Sequence, residues 1–391
     1  MSSIVKNVAI IGAGLGGLAT AIALRKQGIN VRVYEKAQQF RPVGAGLGMM
    51  PNGFNSLEAI EPGLVKDIKS SGCCVGKSTL RNSLGEKIRS NSTDKSFLDK
   101  YGHSLVTVWW WNLQQILASF LPQETIHLDY RCIDWQEDKN GVEVYFENGL
   151  NARADLLIGA DGIKSVVREK LIANEQPRYL GSLCWRAVVK CEQSFIEPNE
   201  LVFIRGNKQF MYLLNLGDGH ISWITRKSTL EYQLSASAAE TKARVLREIA
   251  DWAEPIKAIV EATEAERILE GPICDRLPLK TWSKGRVVLL GDAAHPMGPA
   301  MGQGANTTFE DACVLARCLA HSLSVEAAFT NYEKERVDRL EIIQTRSAEG
   351  EQRYYQNNTP KRQKSKTSED FNDWLYNYQP NTRSGNVSRQ N

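Results

Sequence analysis

Apolar and polar positions alternate with different periods in different parts of the chain. Residues 4–11 form a β-branched run, which is typical of a strand buried in a parallel sheet. Residues 18–27 are rich in alanine and leucine and predict a helix, and residues 31–34 alternate as a second strand. The order of strand, helix and strand predicts a βαβ unit at the start of an α/β domain.

Two further strand patterns lie downstream, and each ends at an aspartate beside a glycine. Residues 154–159 lead to Asp161 and Gly162, and residues 286–290 lead to Gly291 and Asp292. The second strand continues into a glycine-rich loop, followed by a predicted helix over residues 307–323 that carries acidic residues in its first turns.

A different pattern occupies residues 181–273. Short alternating runs at 183–190, 201–204, 210–216 and 220–226 predict an antiparallel sheet, and residues 236–253 predict an amphipathic helix. Alternation alone does not show which face of this sheet points into the protein. The candidates for that inward face are Trp185, Arg186, Met211, Leu213 and Trp223.

Arg186 is the natural partner for a carboxylate or phenolate, because a guanidinium binds planar anions through two hydrogen bonds. A structural arginine stacked near Trp185 is an equal alternative. For His295, beside the glycine-rich loop, a structural hydrogen-bonding role is favoured over a position at the cofactor.

The glycines of the first βαβ unit have the spacing of a dinucleotide-binding fingerprint. Gly12 allows a tight turn, Gly14 lets the backbone approach a pyrophosphate, and Gly17 lets the helix pack on the strand. The helix N-terminus favours phosphate charge. Glu35, at the end of the second strand, is placed to accept both hydroxyls of a ribose, and Lys36 projects into solvent or toward a phosphate. These residues predict FAD or NAD.

The downstream loop favours flavin. Asp292 can bind the hydroxyls of a ribityl chain, and the backbone of residues 302–306 can lie against a flat ring. The following helix N-terminus would stabilise the negative charge of a reduced flavin, which NAD never carries.

Together these motifs resemble those of single-component FAD-dependent monooxygenases of the p-hydroxybenzoate hydroxylase fold, the group that contains salicylate hydroxylase-like, urate hydroxylase-like and zeaxanthin epoxidase-like enzymes. The resemblance covers about residues 6–350. It implies a Rossmann-like FAD-binding domain, an interleaved antiparallel-sheet substrate domain and a C-terminal helix. The predicted FAD domain comprises residues 1–75, 104–180 and 274–350, the substrate domain residues 76–103 and 181–273, and the tail residues 351–391.

The resemblance also implies the chemistry: NAD(P)H, a transient co-substrate, reduces FAD, and O2 forms a hydroperoxide at flavin C4a that hydroxylates an aromatic ring or epoxidises an alkene. No catalytic side chain is required, so Trp185 and Arg186 are substrate-side candidates only. The implied cofactor-binding residues are Gly12, Gly14, Gly17, Glu35, Lys36, Ala45, Gly46, Asp161, Asp292, Pro299, Gly302, Gln303, Gly304, Ala305 and Asn306.

One position departs from the family pattern. After a strand such as residues 105–108, the family has an arginine that opens a helix and contacts FAD, and this chain has Trp110 there. Trp110 either packs in the core or contacts the cofactor or the substrate entrance. Two alternatives to monooxygenation stay open: a flavoprotein that reduces an alkene or polyprenyl substrate, and a non-catalytic flavin-binding protein.

Composition restricts the partners. The 391 residues carry 48 basic and 45 acidic side chains, so no strong field favours nucleic acid. The 8 cysteines lack metal-ligand spacing, which predicts no metal site and a cytoplasmic, reducing location. The apolar stretch 8–24 is interrupted by glycines and predicts no membrane insertion. At the C-terminal end, residues 325–346 predict a helix on the FAD domain, 356–368 a mobile linker, and 370–378 a segment that docks on the body.

Overall fold

The computed structural model describes residues 4–42, 44–92, 94–172, 175–191, 195–355 and 366–380. Its strands, in chain order, are β1 (Asn7–Ile11), β2 (Asn30–Glu35), β3 (Gly46–Met49), β4 (Cys73–Cys74), β5 (Lys77–Asn82), β6 (Lys87–Ser92), β7 (Val106–Trp109), β8 (Ile126–Leu128), β9 (Cys132–Asp138), β10 (Gly141–Phe146), β11 (Asn151–Ala154), β12 (Leu156–Gly159), β13 (Arg178–Lys190), β14 (Glu200–Arg205), β15 (Gln209–Asn215), β16 (His220–Ser228), β17 (Leu269–Asp275), β18 (Ser283–Lys284) and β19 (Val287–Leu289).

The helices are α1 (Leu15–Lys26), α2 (Pro51–Ile60), α3 (Pro62–Ser71), α4 (Asp94–Tyr101), α5 (Trp110–Ser119), α6 (Val166–Ile172), α7 (Ala238–Glu248), α8 (Glu254–Glu261), α9 (Gly304–His321), α10 (Val325–Tyr355) and α11 (Lys366–Tyr376).

A six-stranded sheet in the order β18-β19-β12-β1-β2-β8 holds the fingerprint. Its strands are parallel, except for the antiparallel pair β18–β19. The three predicted strands that end in functional motifs, β1, β12 and β19, are neighbours, so their carboxyl ends meet at one edge. The main hydrophobic core packs around this sheet.

The second large sheet has the order β17-β13-β16-β15-β14-β5-β6 and is antiparallel apart from the pair β14–β5. One face packs against α7 and α8 in a separate core. Two three-stranded sheets, β11-β10-β9 and β3-β7-β4, complete the structure. The predicted mixed α/β fold is therefore confirmed, whereas the division of the chain into domains stays a prediction.

Two helix predictions differ from the structure by more than a few residues at one end. The helix expected over 236–253 ends at Glu248 as α7, and a second helix, α8, begins at Glu254 with Pro255 in its first turn, where the missing N–H of proline breaks no helical hydrogen bond. The helix expected over 325–346 continues to residue 355.

The predicted docking of residues 370–378 is confirmed. Arg339 donates from Nη2 to the carbonyl oxygen of Leu375 at 2.9 Å, and Asn55 donates from Nδ2 to that of Tyr378 at 3.1 Å. The Tyr101 hydroxyl donates to Asp373 at 2.8 Å. Most of the segment 356–368, predicted to be a mobile linker, lies outside the described residues.

Candidate active site

A cavity of about 920 Å³ lies between the carboxyl edge of the six-stranded sheet and one face of the seven-stranded sheet. That volume is at the upper end for ligand sites. Its lining combines the fingerprint, the glycine-rich loop before α9, and side chains of β14, β15 and β16. The same enclosure therefore contains every motif that the sequence singled out for a dinucleotide.

The three fingerprint glycines have different structural roles. Gly12 has φ of +105°, and a Cβ there would lie 2.5 Å from the carbonyl oxygen of Ala160. A Cβ on Gly17 would lie 1.9 Å from the oxygen of Gly12, so these two glycines let α1 pack on the sheet. A Cβ on Gly14 would meet nothing within 4 Å, and Gly14 lines the cavity. Gly14 thus leaves room for a group against the backbone at the start of α1, as a pyrophosphate requires.

Glu35 lines the cavity and also holds the loop. Its two carboxylate oxygens accept hydrogen bonds from the backbone N–H groups of Ala13 and Ala37, both at 2.9 Å. Each oxygen keeps a further lone pair for a ribose hydroxyl. Lys36 lines the cavity beside it.

Asp161 lines the cavity, but its carboxylate is used within the protein. It accepts hydrogen bonds from the Ser165 hydroxyl and from the backbone N–H of Val166, at 2.8 Å for the latter. Burial raises the pKa of Asp161, and these hydrogen bonds oppose the increase. Asp161 therefore fixes the start of α6 where it reaches the cavity edge.

Asp292 projects into the cavity after β19. Desolvation by the surrounding protein raises the pKa of the Asp292 carboxyl above its usual value, and the electrostatic interaction with nearby His295 partly offsets that increase. His295 itself is buried, with Nε2 hydrogen-bonded to Asp311, as the structural role favoured from the sequence requires.

The loop before α9 presents backbone to the cavity. A Cβ on Gly304, the first residue of α9, would meet nothing within 4 Å, so the helix N-terminus is open to a ligand. Pro299, Gly302, Gln303 and Ala305 also line the cavity. This arrangement fits a flat ring with partial negative charge, because the first N–H groups of a helix have no partner within the helix.

Besides Gly17, two predicted cofactor residues do not line the cavity and instead form hydrogen bonds within the protein. The amide of buried Asn306 accepts from the backbone N–H of Met50 at 2.9 Å and donates to the oxygens of Gly48 and Gly302, each at 3.0 Å. Ala45 accepts from the backbone N–H of Trp110 at 3.1 Å. Neither is among the described residues that line the cavity, whereas Gly46 is.

A buried ion network, which the sequence did not reveal, supports the loop from behind. Glu310 accepts from Arg336 Nη1 at 2.6 Å and from Arg339 Nε at 2.8 Å, and Arg336 Nε also donates to Asp311 at 2.8 Å. Although burial raises the pKa values of Glu310 and Asp311, the neighbouring cations hold them below their usual range. We call these four residues the Glu310 network.

The amide of Asn52 connects the network to the cavity lining. Asn52 donates from Nδ2 to Glu310 at 2.7 Å and to the side-chain oxygen of Gln303 at 2.9 Å. Gln303 belongs to the loop. From the sequence, Glu310 and Asp311 are explained by the helix dipole alone, and the only other signal is a pair of arginines at i and i+3 within an apolar helical pattern.

The opposite side of the cavity is a face of the antiparallel sheet. Phe203, Tyr212 and Ile224 are direct cross-strand neighbours on β14, β15 and β16, and Leu201 lies opposite Leu214. Side chains of directly paired residues share a face. We call the following six cavity-lining residues the sheet wall: Leu201, Phe203, Tyr212, Leu214, Ile224 and Arg226.

The sheet wall corrects the substrate-side candidates. Trp185, Met211, Leu213 and Trp223 lie on the other face, in the core with α7 and α8, because alternation fixes two faces without saying which is inward. The indole of Trp185 donates to Glu270 at 2.8 Å. Arg186 shares the row of Ile224 but is exposed one strand further out, and it is not among the described cavity residues.

Trp110, which replaces the expected arginine, lines the cavity at the first position of α5. A Cβ on Gly44 would lie 3.2 Å from its Cβ, so the chain before β3 packs directly on it. Trp110 is thus both packed against the core and placed at the cavity surface.

Within the described part of the chain, no cluster of side chains could hold a metal ion, and no helix is long and apolar enough to cross a membrane. None of the eight cysteines, all of which lie in the described residues, forms a disulfide bond.

A parallel dinucleotide-binding sheet, a second glycine-rich loop and an antiparallel sheet over one cavity define a flavoprotein oxygenase. Residues 6–347 match the model of the FAD binding domain family, so the chain belongs to that family. It is a FAD-dependent monooxygenase.

Curated relatives have the same character. The chain is 32% identical over 333 residues to the aurachin C monooxygenase/isomerase of Stigmatella aurantiaca, and the alignment covers 85% of each of the two chains. It is 32% identical over 351 residues to the 6-hydroxynicotinate 3-monooxygenase of Pseudomonas fluorescens, covering 86% of this chain and 89% of the relative. The structure of Klebsiella pneumoniae HpxO with FAD and uric acid superposes with a TM-score of 0.83 and 25% identity, covering 95% and 93% of the two chains.

Proposed function

We propose that this protein uses NAD(P)H and O2 to insert one oxygen atom into an aromatic or alkene substrate held between the loop before α9 and the sheet wall. The observation that carries the proposal is the continuity of the cavity, which joins the fingerprint at one end to an apolar wall at the other. Relatives that act on aurachin C or 6-hydroxynicotinate support a ring substrate.

Within this proposal, each part of the lining has its own role. The adenosine diphosphate end of FAD would be held by Gly12, Gly14, Glu35 and Lys36. Gly17 lets α1 pack closely behind the fingerprint turn. Asp292 binds the ribityl region, while Asp161 fixes the adjoining loop. The loop residues Pro299, Gly302, Gln303, Gly304 and Ala305, with Gly46 on β3, would hold the flavin ring, and Ala45 and Asn306 keep that surface in place.

When bound, FAD would supply the redox chemistry that links NAD(P)H oxidation to O2 activation. The protein orients the ring of the substrate, and the first N–H groups of α9 stabilise negative charge on the reduced flavin. The apolar sheet wall excludes water from the reacting face. His295 and the Glu310 network keep the loop rigid.

We place the protein in the cytoplasm, because eight cysteines without a disulfide bond among them suit a reducing compartment.

The test uses purified protein supplied with FAD. Its absorbance spectrum should show bound flavin, and NADPH oxidation and O2 uptake should rise together when an accepted phenol or alkene is added. NADPH oxidation coupled to loss of an alkene, without O2 uptake, would instead identify a reductase. Bound flavin with no stimulated turnover would identify a non-catalytic flavin protein.

A further inference from the structure

The charge of the cavity is distributed unevenly. Its acidic and basic side chains mostly belong to the segments assigned to FAD, namely Glu35, Lys36, Arg131, Asp161, Lys164 and Asp292. On the sheet wall five of the six side chains are aliphatic or aromatic, and Arg226 is the one cation. The substrate end of the cavity is therefore apolar with a single polar corner.

The positive charge of Arg226 at that corner is already compensated by a carboxylate of the protein. Arg226 donates from Nη1 to Glu351 Oε2 at 2.6 Å, and its Nη2 is hydrogen-bonded to the Tyr212 hydroxyl. The Arg226 and Glu351 side chains are only 2% and 0% exposed, so water screens this ion pair very little. The charge that would attract an anionic substrate is neutralised from behind.

Glu351 is held in place by the flavin-side loop. It lies near the end of α10, and a Cβ on Gly298 would be 2.7 Å from its Cγ. Gly298 immediately precedes Pro299 of the loop. The carboxylate is thus wedged between the loop and the sheet wall, where it meets Arg226.

We propose that this site selects uncharged, largely apolar ring or alkene substrates whose oxygen lies at the Tyr212–Arg226 corner, and that Glu351 sets this selectivity by neutralising Arg226. The proposal rests on the proposed function and names its substrate class. A carboxylate entering the site would lose its hydration without gaining an uncompensated cation, and a second anion would lie near Glu351. An uncharged ring loses little on entering an apolar wall.

Glu351 acts through Arg226 and is therefore a positioning residue. Its test needs a readout that general destabilisation would not move, and a ratio of two ligands provides one. The probes are 2-naphthol and 3-hydroxy-2-naphthoate, which differ by one carboxylate. Binding to the FAD-loaded protein is measured by calorimetry, and stimulated NADPH oxidation by kcat/KM.

The wild type should bind 2-naphthol at least about tenfold more tightly than the carboxylate. Glu351→Gln keeps the size of the side chain but leaves Arg226 with an uncompensated charge, and it should shift the ratio toward the carboxylate by about tenfold. Glu341→Gln is the matched control: this carboxylate lies on the same helix in an exposed pair with Lys280, and its loss should leave the ratio unchanged.

A second variant allows the proposal to be tested even if Glu351→Gln fails to fold. Arg226→Met combined with Glu351→Leu removes both charges, and should keep the preference for 2-naphthol. A wild type that binds the carboxylate equally well, a wild type that binds neither probe, or a Glu351→Gln protein with an unchanged ratio would overturn the proposal. Failure of O2-dependent turnover with intact binding ratios would instead refute the proposed function alone.

Discussion

The two sides of the cavity are built by different means. The flavin side is largely backbone, set by glycines and held by buried hydrogen bonds and ion pairs behind it. The sheet wall consists of side chains at alternate positions of three strands. In the proposed function, the backbone side binds FAD and the side chains of the sheet wall contact the substrate. We infer that cofactor choice and substrate choice are separable in this chain, and the following variants test that separation.

The largest effect is expected in the Glu310 network. Glu310→Gln removes the carboxylate that pairs with Arg336 and Arg339, leaving buried cations with too little compensation. Breaking such a pair costs about 3–5 kcal/mol. Urea denaturation should show this loss, whereas the exposed Glu341→Gln should change stability by about 1 kcal/mol or less. Equal effects of the two variants would show that the network does not stabilise the folded protein.

Gly14→Val should separate cofactor binding from folding. A Cβ at this position would meet nothing within 4 Å, so stability should be preserved while the Kd for FAD rises about a hundredfold. Gly271→Val is the matched control, because a Cβ there also meets nothing within 4 Å but Gly271 lies on β17, away from the described cavity lining. Fluorescence titration with FAD measures the Kd of both variants. An unchanged Kd for Gly14→Val would show that the FAD pyrophosphate does not bind against Gly14.

Trp110→Arg restores the residue type that the family has at the start of this helix. A guanidinium at the cavity surface can bind FAD phosphate, so the Kd should fall by about tenfold. Trp110→Met, which stays apolar, should not tighten binding. An unchanged Kd for Trp110→Arg would show that Trp110 has taken over the contact or that FAD does not reach it.

The smallest effect is a pH dependence of the sheet wall. Glu351 is faced by Arg226, by Asp275 and by the backbone N–H of Ala300. Burial raises the pKa of Glu351 more than Arg226 lowers it, so the carboxylate takes up a proton at higher pH than an ordinary glutamate. Lowering the pH from 8 to 5 should therefore move the naphthol-to-carboxylate binding ratio a few-fold toward the carboxylate. The Glu351→Gln protein should show no such change.

Much of the flavin side was predictable from the sequence, because Gly12, Gly14 and Gly17 are local signals whose spacing already implies a turn and a helix. The same holds for Asp292 at the end of its strand. Arg226 and Glu351 are different, since they lie 125 positions apart and meet only when the sheet folds over α10. Trp185 was misplaced because a period of two defines faces without orienting them.

Asn306 shows an intermediate case. Its loop, which the resemblance predicts to face the flavin ring, lines the cavity, yet the amide of Asn306 turns back to Met50 and Gly48. A sequence motif locates a segment, but the direction of each side chain depends on partners more than 250 residues away.

The most direct test of monooxygenation is the mass of the product formed under 18O2. With FAD, NADPH and an accepted ring or alkene substrate, we expect a product that carries one 18O atom, with the second oxygen released as water. A product without label, or one that has gained only hydrogen, would contradict monooxygenation.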